Sequence, residues 1–130
     1  MKSARFYKTH KLVVEDIPAR KPSAHEIQIR VRFCGVCGTD VHIYEGAKGS
    51  AEVNPPVTLG HELSGDVSAV GVGVSRFRPG DRVCVDPNAY CGKCYYCANG
   101  KKHLCTHMVG LGTAADGGFA EYVTVPEELV

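Results

Sequence analysis

Four cysteines fall within fifteen residues of this chain, at Cys91, Cys94, Cys97 and Cys105, in the spacing C-x2-C-x2-C-x7-C. The stretch CGKCYYCANGKKHLC is polar and rich in Gly and Lys, so its cysteines have no core to line. They are also too close together for comfortable disulfides. Thiolates are soft ligands, and four of them close a tetrahedral, water-free zinc site. Gly92, Asn99 and Gly100 supply the turns such a knuckle needs. An iron–sulfur run would place its fourth cysteine after three residues and follow it with proline. Here seven residues intervene and Thr106 follows, which favours zinc. A closed four-sulfur site has no open position for water or substrate. The lobe over 86–107 is therefore expected to be a staple, with the chemistry elsewhere.

Around the lobe the chain reads as mainly β. Ile27, Ile29, Val31 and Phe33 alternate with Glu26, Gln28, Arg30 and Arg32, the period of a half-buried strand. Further strands are expected over 11–17, over 63–74 with a bend at its glycines, over 82–86 after a Pro-Gly-Asp turn, and over 119–125. Helix signal is confined to a turn or two over 40–44 and another over 94–100. Fifteen glycines and seven prolines are spread along 130 residues, as in a turn-rich β fold. A single domain over 1–130, built as a small, partly open β-barrel with metal-binding loops and few short helices, is the architecture this implies.

Fifteen basic residues face fourteen acidic ones, so no global charge draws the chain to nucleic acid or an anionic membrane. Two separated knuckles and a basic face, as in a zinc-ribbon nucleic-acid binder, are not evident. No apolar run spans a bilayer, and the opening MKSARFYKTHKLVVED lacks the apolar core of a signal peptide. A cytoplasmic location is expected, where reduced thiols favour metal binding.

Two other stretches carry reactive residue types, FCGVCGTDVHIY (33–44) and LGHELSG (59–65). Cys37, His61 and Glu62 can each ligate a metal. A helical turn after Cys37 would carry the Thr39 hydroxyl towards that metal's open position, with His42 further out, a possible proton path to water. On spacing alone, ordinary core and surface roles for these residues stay open.

CGTDVH (37–42), GHELSG (60–65) running into VGVGVSRFRPGDRV (70–83), the four-cysteine loop and GFAEYV (118–123) occur here in one order. In that order the chain resembles the zinc-dependent medium-chain dehydrogenases, the alcohol, polyol and threonine dehydrogenase group, over about 27–125. The resemblance implies a GroES-like β-barrel catalytic domain with two zinc ions. By motif position it implies Cys37 and His61 as catalytic zinc ligands and Glu62 as the neighbouring acidic residue, in the outer shell or ligating transiently. It implies Thr39 and His42 as the proton relay, and Cys91, Cys94, Cys97 and Cys105 as the structural zinc ligands. The implied reaction is oxidation of a small alcohol or polyol to a carbonyl, with hydride transfer to NAD or NADP.

Family members are more than twice as long as this chain and add a doubly wound dinucleotide-binding domain. GLGTAA (110–115) fits its G-x-G-x-x-A turn on paper, but it precedes a strand and is followed by Asp116-Gly117-Gly118, so it is not read as that turn. In the family the third catalytic zinc ligand also lies beyond the position of Val130. These departures lead to the expectation of an N-terminal fragment, inactive alone, with one tight zinc in the cysteine lobe and a partly filled or empty second site. A non-catalytic, zinc-stapled interaction module is the alternative. Cys34 and Cys84 are expected as packed core residues rather than redox centres. His10, His25, His103 and His107 are expected at the surface, and apolar surface exposed for docking would favour a homo-oligomer.

Overall fold

The computed structural model describes residues 1–47 and 52–130. Its strands are β1 (Lys2–Lys8), β2 (Lys11–Asp16), β3 (Glu26–Gly35), β4 (Val57–Thr58), β5 (Glu62–Val70), β6 (Arg82–Cys84), β7 (Asn88–Ala89), β8 (Val109–Gly110) and β9 (Tyr122–Pro126), with helices α1 (Gly38–Glu45) and α2 (Tyr95–Ala98). They form three antiparallel sheets, ordered β2-β1-β4, β6-β5-β3-β9 and β7-β8. The first two are joined where Ala4 N–H donates to Phe119 O at 2.8 Å and Ser3 bridges Ala120. This is the mainly-β architecture with few short helices that the alternation and the glycines imply.

The main core is built from alternate residues of the central strands. Ile27, Ile29, Leu63, Val67, Val123 and Val125 pack together with Val85, Leu111 and Leu129. Ile27 and Ile29 are fully buried, each contributing about 1.5–3 kcal/mol by its removal from water. A second cluster of Phe6, Ile43, Val57 and Leu59 ties α1 to β1 and β4.

Register, rather than hydrophobicity, decides the inward face of β3. Pairing with β5 runs Ile29↔Val67 and Val31↔Gly65, then slips to Phe33↔Ser64 and Cys34↔Leu63. Arg32 is the extra residue, and its Nε donates to Asp66 Oδ2 at 2.6 Å. The bulge moves the inward positions from odd to even numbers, so Cys34 faces the core and Phe33 is left 78% exposed. The simple alternation had turned Phe33 inward.

Other boundaries shift for local reasons. The strand expected over 63–74 runs from Glu62 to Val70, and Val72 beyond it is exposed. The last strand begins at Tyr122 rather than Phe119, because 117–119 are bonded to 58–60 instead. The first strand, β1, carries no clear period-2 signal because both its faces are covered in part. Phe6 is buried on one, and Ser3 on the other, where its hydroxyl pairs with Thr58 Oγ1 at 2.8 Å. Cys84 is exposed on the three-residue strand β6, not in the core.

Candidate metal centres

The cysteine lobe is folded by its turns into a compact thiol cluster. Cys91 opens it, Cys94 caps α2, Cys97 lies in α2, and Cys105 follows a single 3-10 turn over Lys102–Leu104. The four sulfurs lie within 4.8 Å of one another. Cys94 Sγ is 3.5 Å from Cys97 Sγ and 3.9 Å from Cys105 Sγ. A tetrahedral zinc with Zn–S bonds near 2.3 Å spaces its sulfurs about 3.8 Å apart, so the observed set fits that ion.

Backbone N–H groups already point at the sulfurs. Cys91 N–H donates to Cys105 Sγ at 3.3 Å, Cys94 N–H to Cys91 Sγ at 3.4 Å, and His107 N–H to Cys105 Sγ at 3.4 Å. The Cys97 N–H, followed by that of Thr106, holds the Cys94 thiol down to about 5. Burial pushes its neighbour Cys97 up to about 12. Backbone N–H groups of Lys93 and Cys94 also lower the Cys91 thiol, so the lobe favours thiolate at Cys91 and Cys94 while burial opposes it at Cys97. Lys102 closes the lobe from outside, donating to Tyr90 OH at 2.8 Å while lying over its ring.

The second centre is assembled from two segments brought together by β3 and β5. Gly35 pairs with Glu62 at the end of that ladder, and the Glu62 side chain lies against Gly35. Two residues beyond Gly35, Cys37 caps α1; one before Glu62 stands His61. Ligand atoms of Cys37, His61 and Glu62 all lie within 4.8 Å of one another. His61 Nδ1 is buried with no hydrogen-bond partner, 3.7 Å from Asp40 Oδ1. A sulfur, an imidazole and a carboxylate are donor types found in catalytic zinc sites.

Thr39 and His42 sit on α1 at i and i+3, positions that share a helix face. Thr39 Oγ1 is 3.7 Å from Cys37 Sγ and half-buried, whereas His42 is exposed. The ordering from cluster to solvent thus runs Cys37, Thr39, His42.

Two parts of this centre were not read from the sequence. Asp40 is 4% exposed and accepts from Cys37 N–H at 2.9 Å and Gly60 N–H at 3.2 Å while facing His61. It ties both segments to one carboxylate. Its signal was an acidic residue three positions after a helix cap, the spacing of a capping box. The second is the 110–118 loop. Gly117, Gly118 and Phe119 N–H groups donate to Thr58, Gly60 and Leu59 carbonyls at 2.8–2.9 Å, and Asp116 Oδ1 accepts from Thr58 N–H at 2.8 Å. Gly112 and Gly117 lie so close to the Gly60 backbone that neither leaves room for a Cβ. The glycines of this loop therefore clamp the segment that presents His61, which is not the work of a phosphate-binding turn.

Cys34 packs against Gly60 and Gly118, and burial followed by the Asp40 charge raises its thiol to about 11. A thiol held protonated in this way is a packing residue, not half of a redox pair with Cys37. His10, His25, His103 and His107 are exposed, as is the Lys101-Lys102-His103 run. Among the described residues no helix is long and apolar enough to cross a membrane.

This β-rich fold has solved counterparts. The alcohol dehydrogenase GroES-like domain profile matches residues 23–130, and the chain belongs to that family. It is 44% identical over 126 residues, 97% of its length, to the starvation-sensing protein RspB of Escherichia coli (strain K12), covering 37% of that protein. It is 45% identical over 121 residues, 92% of its length, to a sorbitol dehydrogenase of Halalkalibacterium halodurans, covering 34% of it. In structure it matches a short chain alcohol dehydrogenase (rspB) from E. coli CFT073, complexed with NADH, at a TM-score of 0.91 and 43% identity; the match covers 99% of this chain and 37% of that one. The chain thus spans roughly a third of the length of these relatives.

Proposed function

We propose that residues 1–130 form the zinc-binding part of the catalytic domain of an NAD(P)-dependent alcohol or polyol dehydrogenase. The observation that carries this reading is the meeting of Cys37, His61 and Glu62 within 4.8 Å, with the Thr39 hydroxyl beside the Cys37 sulfur. Cys37 and His61 would supply ligands to one zinc ion, with Glu62 as the acidic residue beside it that ligates transiently or from the outer shell, and Cys91, Cys94, Cys97 and Cys105 would hold a second, structural one. Zinc bound at the first centre supplies a Lewis acid that makes an alcohol proton easier to lose. The chain's own residues do the rest. Asp40 ties the Cys37 loop to the Gly60 segment that presents His61, the Thr39 hydroxyl accepts the substrate proton, and exposed His42 passes it to water. Hydride transfer would go to NAD or NADP, since the relative of known structure holds NADH. The substrate class is a small alcohol or polyol, in keeping with the sorbitol dehydrogenase relative. Seven free thiols suit a reducing cytoplasm. A bare interaction module has no use for a buried imidazole gathered with a cysteine and two carboxylates.

The test is reduction of NAD+ and NADP+ with a panel of secondary alcohols and polyols, using the protein in its natural length. Cys37→Ser and His61→Ala should abolish turnover while the lobe zinc, measured by elemental analysis, remains. Turnover unchanged in both variants would overturn the assignment.

A further inference from the structure

We propose that the open edge of β2 is a self-association surface, to which β2 of a second copy adds in antiparallel register centred on Val13. Strand β2 is the outer strand of its sheet, and among the described residues it pairs with β1 alone. Among the described residues its apolar side chains are only partly covered: Leu12 and Val13 are partly exposed, and Val14 is 65% exposed. An apolar strand with an unpaired edge is a template for another strand, and β2 carries no proline or bulge to blunt it.

The backbone shows which groups the edge offers. Met1 and Ile17 exchange both of their hydrogen bonds, at 2.8 and 2.9 Å. Such bonded pairs alternate along an antiparallel ladder, so Ser3↔Glu15 and Arg5↔Val13 are bonded pairs as well. Ala4, opposite Val14, agrees: it sends its N–H the other way, to Phe119 O. Leu12, Val14 and Asp16 therefore direct their N–H and C=O away from β1, towards the open side.

A two-fold axis perpendicular to the sheet keeps faces matched only when residues of equal parity oppose one another. Centred on Val13, it sets Leu12 opposite the partner's Val14 and Val14 opposite the partner's Leu12, so two bonded pairs use the outward groups just identified. The same register places Lys11 opposite the partner's Glu15 at both ends, and Val13 against the partner's Val13 in the closer, non-bonded pairing. Centring on Leu12 or Val14 instead leaves Lys11 facing Val13 or Ile17, without a charge partner. Charge complementarity thus selects one register. In the single copy, Glu15 already accepts from Tyr7 OH at 2.7 Å and lies 3.7 Å from Arg5 Nε, so its carboxylate is held in place to receive the partner's Lys11. Two short strands bury less than a standard interface, so the association is weak and concentration-dependent.

Sedimentation velocity on the zinc-loaded 130-residue chain, from about 10 μM to about 1 mM, should show a monomer–dimer equilibrium that weakens with salt. Val14→Pro deletes one outward N–H and no bond to β1, and should abolish the dimer. Lys11→Glu replaces two attractions by two repulsions and should weaken it about 10- to 30-fold. Glu15→Lys alone should do the same, and mixing the Lys11→Glu and Glu15→Lys chains should restore association. Should Glu15→Lys fail to fold, Val14→Pro and Lys11→Glu decide the matter. A chain monomeric at every concentration would overturn the proposal. So would a dimer indifferent to both of those variants, which would place the contact at other exposed apolar residues such as Phe33 and Val36.

Discussion

Replacing Gly60 by alanine tests how the His61 centre is held. Gly60 has φ +89°, a backbone conformation that costs an L-residue about 1–2 kcal/mol. A Cβ there would also stand 2.5 Å from Phe119 Cδ1 and 2.8 Å from Cys34 Sγ. Neither neighbour can withdraw freely, because Phe119 N–H is bonded to Leu59 O and Cys34 packs on the main core. Overpacking of this kind adds about 1–3 kcal/mol, so the total loss should be about 2–5 kcal/mol. Urea unfolding measures it, with Gly38→Ala as the control. A Cβ at Gly38 meets nothing within 4 Å, and alanine favours the helix, so that variant should be unchanged or slightly more stable. In a cobalt-substituted sample, Gly60→Ala should also lose visible absorption from the Cys37/His61/Glu62 centre while the cysteine-lobe signal persists. A Gly60→Ala protein within about 0.5 kcal/mol of the parent, with both signals intact, would refute the clamp argument.

Asp40→Ala leaves the Cys37 and Gly60 N–H groups without their acceptor and should cost about 2–4 kcal/mol in urea unfolding; zinc affinity at the His61 centre, read by competition with a chromogenic chelator, should fall about 10- to 100-fold. Cys97→Ser should release the lobe's zinc and open the segment over 91–105 to limited proteolysis, with little change in the β3–β5 core. Arg20 hydrogen bonds hold the Glu26 carboxyl down at about 2, against an ordinary 4.5. The fold thus favours the ionised form, so this contribution is full above about pH 4.5 and is lost as pH falls through about 2. Glu26→Gln should therefore lower stability by up to about 1 kcal/mol at neutral pH, because Arg20 is largely solvated, and the difference from the parent should vanish in strong acid.

What could be read directly from the residues was whatever depends on short spacing. Cys91, Cys94, Cys97 and Cys105 lie within one loop, so local turns alone can gather their sulfurs, and the four thiols singled out are the ones that cluster. Ile27 and Ile29 likewise follow from a period of two, because a strand alternates its faces whatever it pairs with. Residue type raised Cys37 and His61 as possible ligands, but they are separated by a helix and a strand, and only resemblance to a family gave them a shared role.

Tertiary structure decided the rest. One bulge at Arg32 turned Phe33 out and Cys34 in, and a period count cannot contain it because it arises in the pairing with β5. That same pairing ends at Gly35↔Glu62 and so sets Cys37 beside His61. Asp40 reads as a helix-cap residue until the fold brings Gly60 and His61 against it. The sequence rules out a nucleotide turn at 110–115, but only the fold shows Gly112 and Gly117 lying on the Gly60 backbone. The loop can fold on its own spacing, whereas the reactive centre exists only where distant segments meet, and hydrogen bonds between strands decide that meeting.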